Sequence, residues 1–520
     1  MANPKNGLVQ TGIAGLDAVL MGGIPRTNVI LVQGTTGSGK TLLGMEFIYR
    51  GITQFDEPGI IVVFESNPDK LIRDAAAFGW NLQELQEQKK LQIVFTSPEV
   101  LDQEMRSPDS LLLETALEMG AQRIFIDGIG LLRHASANGG LMPLLGSGSY
   151  RELLQQVIEG LNRENLTAML SHEVGNIADS QLSLEAAGFL ADTVIQMNRA
   201  VRNRRAYRSI EIVKSRGQDY VSGEHTLHID EGRGLEVFRR VQAPLAKHEQ
   251  PSSNVKRSIT GEGALDDLMG GGIFDGSTTM VVGISGAGKT VLAMQLLVEG
   301  VVKQKTKGLL ISLDEHPAQL IRNAELLGIP LQAHIDSGDL HIFYDSPQEL
   351  DIDAHFSKIV EIVEKNNIQR IVIDGTTSYS TALGDQGIYR DFINAVVSFC
   401  KVRLMTLFFN YENPEFLGIT SYMPTFPVAS IVDNIILVSL IEIHSSIRRC
   451  LTVVKSRGSK HEFDSREFKI VQGGITLLPM NDESPEKLPL ASYSSILSRA
   501  PTRYPFARGS SDAGFAPGSK

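Results

Sequence analysis

Twice in this chain an apolar run ends in Gly-x-x-x-x-Gly-Lys-Thr and leads into a helix-forming segment. Residues 28–41 read NVILVQGTTGSGKT, and residues 278–290 read TTMVVGISGAGKT. The pattern leaves few folds open: a buried strand must pass through a tight glycine turn into a helix N-terminus, so that successive backbone N–H groups converge on an anion. Gly34, Gly37 and Gly39 supply the turn in the first copy, with Thr36 and Ser38 between them; Gly283, Gly286 and Gly288 supply it in the second, with Ser285 and Ala287. The helix adds its positive N-terminal end, worth about 0.3–1 kcal/mol for a facing charge. Lys40 and Lys289 are placed to reach the β- and γ-phosphates of a nucleoside triphosphate, and the hydroxyls of Thr41 and Thr290 suit a Mg2+ ligand. One such match could be an ordinary glycine turn before a helix. Two in the same strand-loop-helix setting argue for nucleotide binding.

The P-loops belong to a longer repetition. Thr11-Gly12-Ile13-Ala14-Gly15-Leu16-Asp17 is echoed by Thr260-Gly261-Glu262-Gly263-Ala264-Leu265-Asp266, and each is followed by Gly-Gly-Ile shortly before the P-loop strand. Further on, Arg123-Ile-Phe-Ile-Asp127-Gly matches Arg370-Ile-Val-Ile-Asp374-Gly, and Val213-Lys214-Ser215-Arg216-Gly217 matches Val454-Lys455-Ser456-Arg457-Gly458. One unit is written twice, in the same order.

Within each unit, short β-rich runs alternate with helical patterns. The first has runs at 29–33, 60–64, 91–95, 124–126, 166–170 and 194–197; the second has them at 280–282, 309–313, 340–344, 371–373, 404–408 and 435–440. Near-continuous apolar runs indicate strands buried on both faces, hence α/β domains with a mainly parallel sheet flanked by helices. Ligands of such sheets sit at the carboxyl ends of the strands. The expected division is a first domain at 1–243, a polar linker with two prolines at 244–257, a second domain at 258–480, and a Ser-, Pro- and Gly-rich disordered tail at 481–520. Residues 142–149, MPLLGSGS, predict a mobile loop that the second unit lacks.

At 520 residues the chain is too long for one comfortable core, and its 42% apolar and 21% charged composition is that of a globular protein. No apolar run approaches the ~20 residues of a membrane span, and the N-terminus lacks the basic start and apolar core of a signal peptide, so a cytoplasmic location without membrane contact is expected. The two cysteines, Cys400 and Cys450, each lie in an apolar segment and predict buried thiols. A net charge of −11 argues against broad nucleic-acid affinity.

Several polar residues sit where chemistry would need them. Asp127 and Asp374 end apolar runs downstream of the P-loops, the Walker B position, where an acid holds a metal-bound water beside the γ-phosphate. Glu65 follows the second run of the first unit, and Asp314 with Glu315 follow that of the second; acids there can orient or deprotonate a nucleophile. Lys214 with Arg216, and Lys455 with Arg457, could be solvated strand ends. Their recurrence suggests that they face phosphate instead, and because the P-loop lysine already serves its own site, a neighbouring subunit's nucleotide is the natural target. Trp80 reads as core, and His172-Glu173 as a turn or a phosphate sensor.

On these features the chain resembles the KaiC family of tandem RecA-like ATPases. The resemblance spans about residues 7–480 and rests on the duplicated Thr-Gly-x-x-x-Leu-Asp segment, the paired P-loops, Phe64-Glu65 with Phe78-Gly79-Trp80, and the two Lys-x-Arg-Gly segments. It implies a homohexamer of two stacked rings with ATP and Mg2+ at subunit interfaces, slow hydrolysis in the first ring, and serine/threonine autokinase chemistry in the second. It also implies KaiB-like or other signalling partners, in circadian or related signalling. Glu65 matches the first member of the family's catalytic glutamate pair and Ser66 stands at the second. Asp314 and Glu315 match the pair in the second unit, with the first member one methylene shorter. At the family's adjacent phosphoacceptors stand Ala429 and Ser430, leaving Ser430 as the one hydroxyl. Two other readings share the fold: an ATP-switched scaffold with negligible turnover, and a motor on single-stranded DNA. The motor wants basic loops, and residues 139–149 contain neither Lys nor Arg.

Overall fold

The computed structural model describes residues 7–64, 67–107, 110–132, 147–174, 187–202, 205–242, 256–412, 428–443 and 446–479. By its internal contacts the chain forms two compact units, Met1–Val241 and Gln242–Lys520.

In the first unit a short antiparallel pair, β1 (Leu8–Val9) with β2 (Ile24–Pro25), precedes a nine-stranded sheet. Its strands are β3 (Val29–Gly34), β4 (Gly59–Val63), β5 (Leu91–Phe95), β6 (Arg123–Asp127), β7 (Thr167–Glu173), β8 (Thr193–Arg202), β9 (Arg205–Ser215), β10 (His225–Asp230) and β11 (Gly234–Phe238). They lie in the order β11-β10-β9-β8-β3-β7-β6-β4-β5. From β5 to β8 neighbours are parallel; from β8 to β11 they are antiparallel.

The apolar runs make this sheet because both of its faces are covered. Along β3 and β4, Val29, Leu31, Ile60 and Val62 enter one core, with Leu101, Leu112, Leu153 and Val157 of the helices above it. Ile30, Val32, Ile61 and Val63 enter the other, with Leu43, Phe47 and Ile48 of the helix Lys40–Phe55. Period-two side-chain alternation thus feeds two apolar layers at once. Trp80 belongs to the second of these cores, 2% exposed, with ring centroids 5.5 Å from Tyr49 and 5.2 Å from Phe78.

The second unit repeats the plan. The pair β12 (Arg257–Ser258) and β13 (Ile273–Phe274) precedes β14 (Thr278–Gly283), β15 (Gly308–Ser312), β16 (Leu340–Tyr344), β17 (Arg370–Asp374), β18 (Thr406–Glu412), β19 (Asn434–Ile443), β20 (Ser446–Ser456), β21 (Arg466–Val471) and β22 (Gly474–Leu477). The order is β16-β15-β17-β18-β14-β19-β20-β21-β22, with the last four antiparallel. Cys400 and Cys450 are buried free thiols.

Two expectations need correction. The run expected to start a strand at Leu404 starts it at Thr406, because Leu404 sits at φ 55°, 69% exposed, in the turn that follows the helix Gln386–Val402. Of the loop expected at 142–149, residues 147–149 begin the helix Ser147–Arg163, and the rest lie outside the described residues.

Candidate functional site

Parallel register gathers the polar strand ends at one edge of each sheet. Gly34 pairs with Glu173 and Val63 with Asp127; in the second unit Gly283 pairs with Glu412 and Ser312 with Asp374. The P-loop therefore opens among acids that end two other strands of its sheet.

Sterics explain the P-loop glycines. A Cβ on Gly34 would lie 2.1 Å from the Met197 carbonyl oxygen, and one on Gly283 would lie 2.3 Å from that of Val438, so the loop can leave its strand only as glycine. Gly37 and Gly286 both hold φ +75°, a conformation that favours glycine; beside Gly286 there is open space, and beside Gly37 only the Arg199 side chain comes within 4.0 Å of an added Cβ. Thr36, Ser38 and Gly39, like Ser285, Ala287 and Gly288, complete the turn before the helices Lys40–Phe55 and Lys289–Gln304.

Lys40 and Lys289 fold back over their loops. The Lys40 ammonium donates to Gly34 O at 3.0 Å and Thr35 O at 2.9 Å; that of Lys289 donates to Gly283 O at 2.8 Å and Ile284 O at 2.7 Å. Burial pulls both pKa values below the lysine range, and the neighbouring acids oppose it: Glu173 and Asp127 for Lys40; Glu412, Asp374 and Asp314 for Lys289.

Beside each lysine, a hydroxyl meets a carboxylate. Thr41 Oγ1 donates to Asp127 Oδ2 at 2.9 Å, and Thr290 Oγ1 donates to Asp374 Oδ2 at 2.9 Å. The other oxygen of each aspartate is held from the neighbouring strand, by Ser171 Oγ at 2.5 Å and by Asn410 Nδ2 at 2.6 Å. Burial raises the Asp374 pKa, and the bonds from Asn410 and Thr290 oppose it. Among the described residues no group of three or more His, Cys, Asp or Glu side chains is arranged to hold a metal ion by itself. A hydroxyl and one carboxylate do suit Mg2+, which keeps waters and takes phosphate oxygens for the rest of its shell.

In the second unit these groups line a cavity of about 790 Å³, within the range of small-molecule sites. Four acids converge there, Asp314, Glu315, Asp374 and Glu412, against the single P-loop lysine. A polyphosphate can enter so acidic a cleft only with a cation to neutralise it. Asp314 accepts a short hydrogen bond from Ser378 Oγ, whereas Glu315 Oε2 accepts from Asn323 Nδ2 at 3.3 Å. Burial raises the Glu315 pKa, and the like charges of Asp374 and Asp314 raise it further.

The structure does not bring all the candidate residues together. Glu65 lies outside the described residues. The basic pairs and Ser430 lie at the opposite sheet edge from their own P-loop, since Ile435 pairs with Lys455 beside Met280, and Arg457 N donates to Asp433 O beside Thr278, not beside Gly283. Three steps of strand from Met280 to Gly283 put Lys455 about 10 Å from the P-loop end, and five steps from Thr278 put Arg457 about 16 Å from it. There the Lys455 ammonium donates to Val432 O at 2.8 Å and Arg457 Nη2 donates to Ser430 O at 2.8 Å. Likewise Lys214 donates to Ala191 O at 2.6 Å and Arg216 Nη2 to Phe189 O at 3.2 Å. Burial, then the adjacent arginine, lowers the pKa of Lys214 and of Lys455. Ser430 is exposed, within the one-turn helix Val428–Ile431.

Residues that sequence reading missed or passed over are Glu412, Asn410, Ser171 and Ser378. Glu173, read with His172 as a turn or a phosphate sensor, accepts a short hydrogen bond from Thr36 Oγ1. The available signal was a glutamate ending the same strand in both units.

Comparison with known proteins agrees with this geometry. Residues 9–242 and 258–482 each match the family described as "ATPase: KaiC". The chain is similar to the "Circadian clock oscillator protein KaiC" of Thermostichus vulcanus, 30% identical over 503 residues, covering 95% of this chain and 92% of the relative. It is 31% identical over 503 residues to the protein of that name from Nostoc sp., covering 95% and 92%. It is 30% identical over 514 residues to "Circadian clock oscillator protein KaiC 1" of Synechocystis sp., covering 96% and 93%. Among the described residues, no helix is long and apolar enough to cross a membrane.

Proposed function

The chain belongs to the KaiC family, a KaiC-like ATPase of two tandem RecA-like units, and on that premise we propose that each unit binds Mg2+-ATP between copies of a homohexamer and that the second unit is a serine autokinase. The observation that carries the reading is the split of the candidate residues between two sheet edges. The P-loop, the Thr-Asp pair and the acids lie at one edge, and Lys455, Arg457 and Ser430 lie at the other, about 10 Å along the strand for Lys455 and about 16 Å for Arg457. A basic pair so placed cannot serve its own nucleotide. On the facing edge of an adjacent copy it completes that copy's site, as an arginine finger does.

The roles follow from position. Loop N–H groups and Lys40 or Lys289 hold the phosphates; Thr41 with Asp127, and Thr290 with Asp374, hold Mg2+. The ion's contribution is to neutralise charge on the phosphate oxygens. Glu65 orients the attacking water in the first unit. In the second, Asp314 and Glu315 take the proton of an attacking hydroxyl, that of Ser430 from the neighbouring copy. Such a protein acts in the cytoplasm, in circadian or related signalling, with KaiB-like or other signalling partners. A second reading, an ATP-switched scaffold with negligible turnover, is favoured by the short Asp314 and by Ser66 in place of a second carboxylate.

The test is incubation of the full chain with Mg2+ and γ-labelled ATP, followed by peptide mapping. The autokinase reading expects label on the peptide carrying Ser430, lost in Ser430→Ala and in Lys289→Ala. ATP bound without any protein label would overturn it in favour of the scaffold, and phosphate release stimulated by single-stranded DNA would favour the motor.

A further inference from the structure

The two units diverge just beyond the Walker B aspartate. After Asp127 the chain continues Gly128-Ile129-Gly130-Leu131; after Asp374 it continues Gly375-Thr376-Thr377-Ser378. Hydroxyls thus replace apolar side chains at the same sheet edge, in the second unit only. Thr376 has a structural job, because it is buried and its Oγ1 donates to Asn410 O at 2.6 Å. Ser378 is different. It is half-buried in the first turn and a half of the helix Thr376–Leu383, and its Oγ donates to Asp314 Oδ1. It lines the same cavity as Gly286, Lys289 and Thr290. Gly375 lets the carboxylate reach it: at φ +83°, a Cβ there would lie 2.1 Å from Asp314 Oδ2.

A serine hydroxyl hydrogen-bonded to a carboxylate, inside the phosphate cradle of its own chain, is an acceptor already paired with its base. We propose that Ser378 is a second phosphoacceptor, taking the γ-phosphoryl group in cis from ATP held by the P-loop of the same unit. The inference rests on the autokinase reading and differs from it in residue and geometry. Ser378 Oγ bonds to the γ-phosphorus as the bond from phosphorus to the β,γ-bridging oxygen breaks. Asp314 receives the hydroxyl proton, and ADP departs with the electron pair of the broken bond.

The product is self-limiting. A phosphoserine brings about −1.5 to −2 charges into a cleft that already holds Asp314, Glu315, Asp374 and Glu412. Nucleotide should then return to that site about tenfold more weakly, the equivalent of one decade in Kd.

Peptide mapping by mass spectrometry after incubation with Mg2+-ATP tests this, using the full chain as wild type, Ser378→Ala, Ser378→Thr and Ser430→Ala. The expected result is one phosphoryl group on Ser378, kept in Ser430→Ala, absent in Ser378→Ala and moved to the new hydroxyl in Ser378→Thr. When Lys289→Ala is mixed with Ser378→Ala, the cis geometry expects no phosphate on Ser378 of the Lys289→Ala chains. Independently of turnover, binding of a fluorescent ATP analogue should be about tenfold weaker in nucleotide-free wild type isolated in the phosphorylated state than in the same protein unphosphorylated. Phosphate on Ser430 alone would overturn this inference while sparing the autokinase reading. Phosphate on no residue, with the analogue still bound, would overturn both. Phosphate on Ser378 of Lys289→Ala chains in the mixture would overturn the cis transfer.

Discussion

Glu46 and Gln295 occupy the same place in the two P-loop helices, and both satisfy a backbone N–H of the far edge of the sheet. Glu46 Oε2 accepts from Leu235 N at 2.7 Å, and Gln295 Oε1 accepts from Ile475 N at 2.8 Å. The amide does this without charge. Glu46 is 1% exposed, and burial raises its pKa despite the opposing bonds from Leu235 and Arg50. The folded state therefore holds this proton more tightly than the unfolded one, and the stability of the first unit falls as pH rises from the ordinary value of 4.5 through the raised one. Glu46→Gln should melt at a higher temperature than wild type at neutral pH, with the gain vanishing as pH falls to about 4.5. A calorimetric series against pH checks this; a constant offset would assign the effect to packing. At this scale the P-loop residues and the Walker B acids were legible, because local spacing specifies them. Glu412, Asn410 and Ser378 were not, because register between strands far apart in sequence brings them to the site.

The second strand-helix contact of each unit carries a buried arginine whose fate differs. Arg123 is 1% exposed; its Nε donates to Glu57 Oε2 at 2.7 Å, its Nη1 to Phe47 O at 3.0 Å and its Nη2 to Gln10 O at 2.8 Å. Gly51 makes room for it: a Cβ there would lie 2.6 Å from Arg123 Cδ. Removing the carboxylate by Glu57→Gln strands a buried guanidinium and should cost about 3–5 kcal/mol, read from denaturant unfolding of the first unit. Arg370 stands at the matching place under Gly300, but Thr306 replaces the glutamate. Its Nη1 donates to Leu296 O at 3.0 Å, its Nε and Nη2 meet no acceptor among the described residues, and burial pushes its pKa down to about 10. Thr306→Glu should stabilise the second unit, by about 2–4 °C in Tm for each kcal/mol recovered; a lower Tm would show that the new carboxylate cannot reach. The parallel strands were legible as apolar runs because both faces are covered. The antiparallel strands β9–β11 and β20–β22 were not, because they are half-exposed and their mixed patterns resemble loops; only the repeated Val-Lys-Ser-Arg-Gly marked them.

For the whole molecule, duplication was the most legible property, since the landmarks keep their order in both halves and each half matches the same family. Spacing alone did not show that the basic pair and the P-loop end up at opposite edges of one sheet, which strand register sets; under the proposed function these two motifs of one chain serve two different sites. Nucleotide bound across such a junction stabilises the assembly by mass action, so ATP with magnesium should shift the chain from monomer to ring in sedimentation. The sharpest measurement is complementation in mixed assemblies. With Lys40→Ala in every chain to silence the first unit, Lys289→Ala and Arg457→Ala are each inactive, and their mixture pairs an intact P-loop with an intact Arg457 from the adjacent copy. The account predicts that ATP hydrolysis returns in the mixture and not in either variant alone. Co-assembled chains that stay as inactive as the separate variants would contradict it.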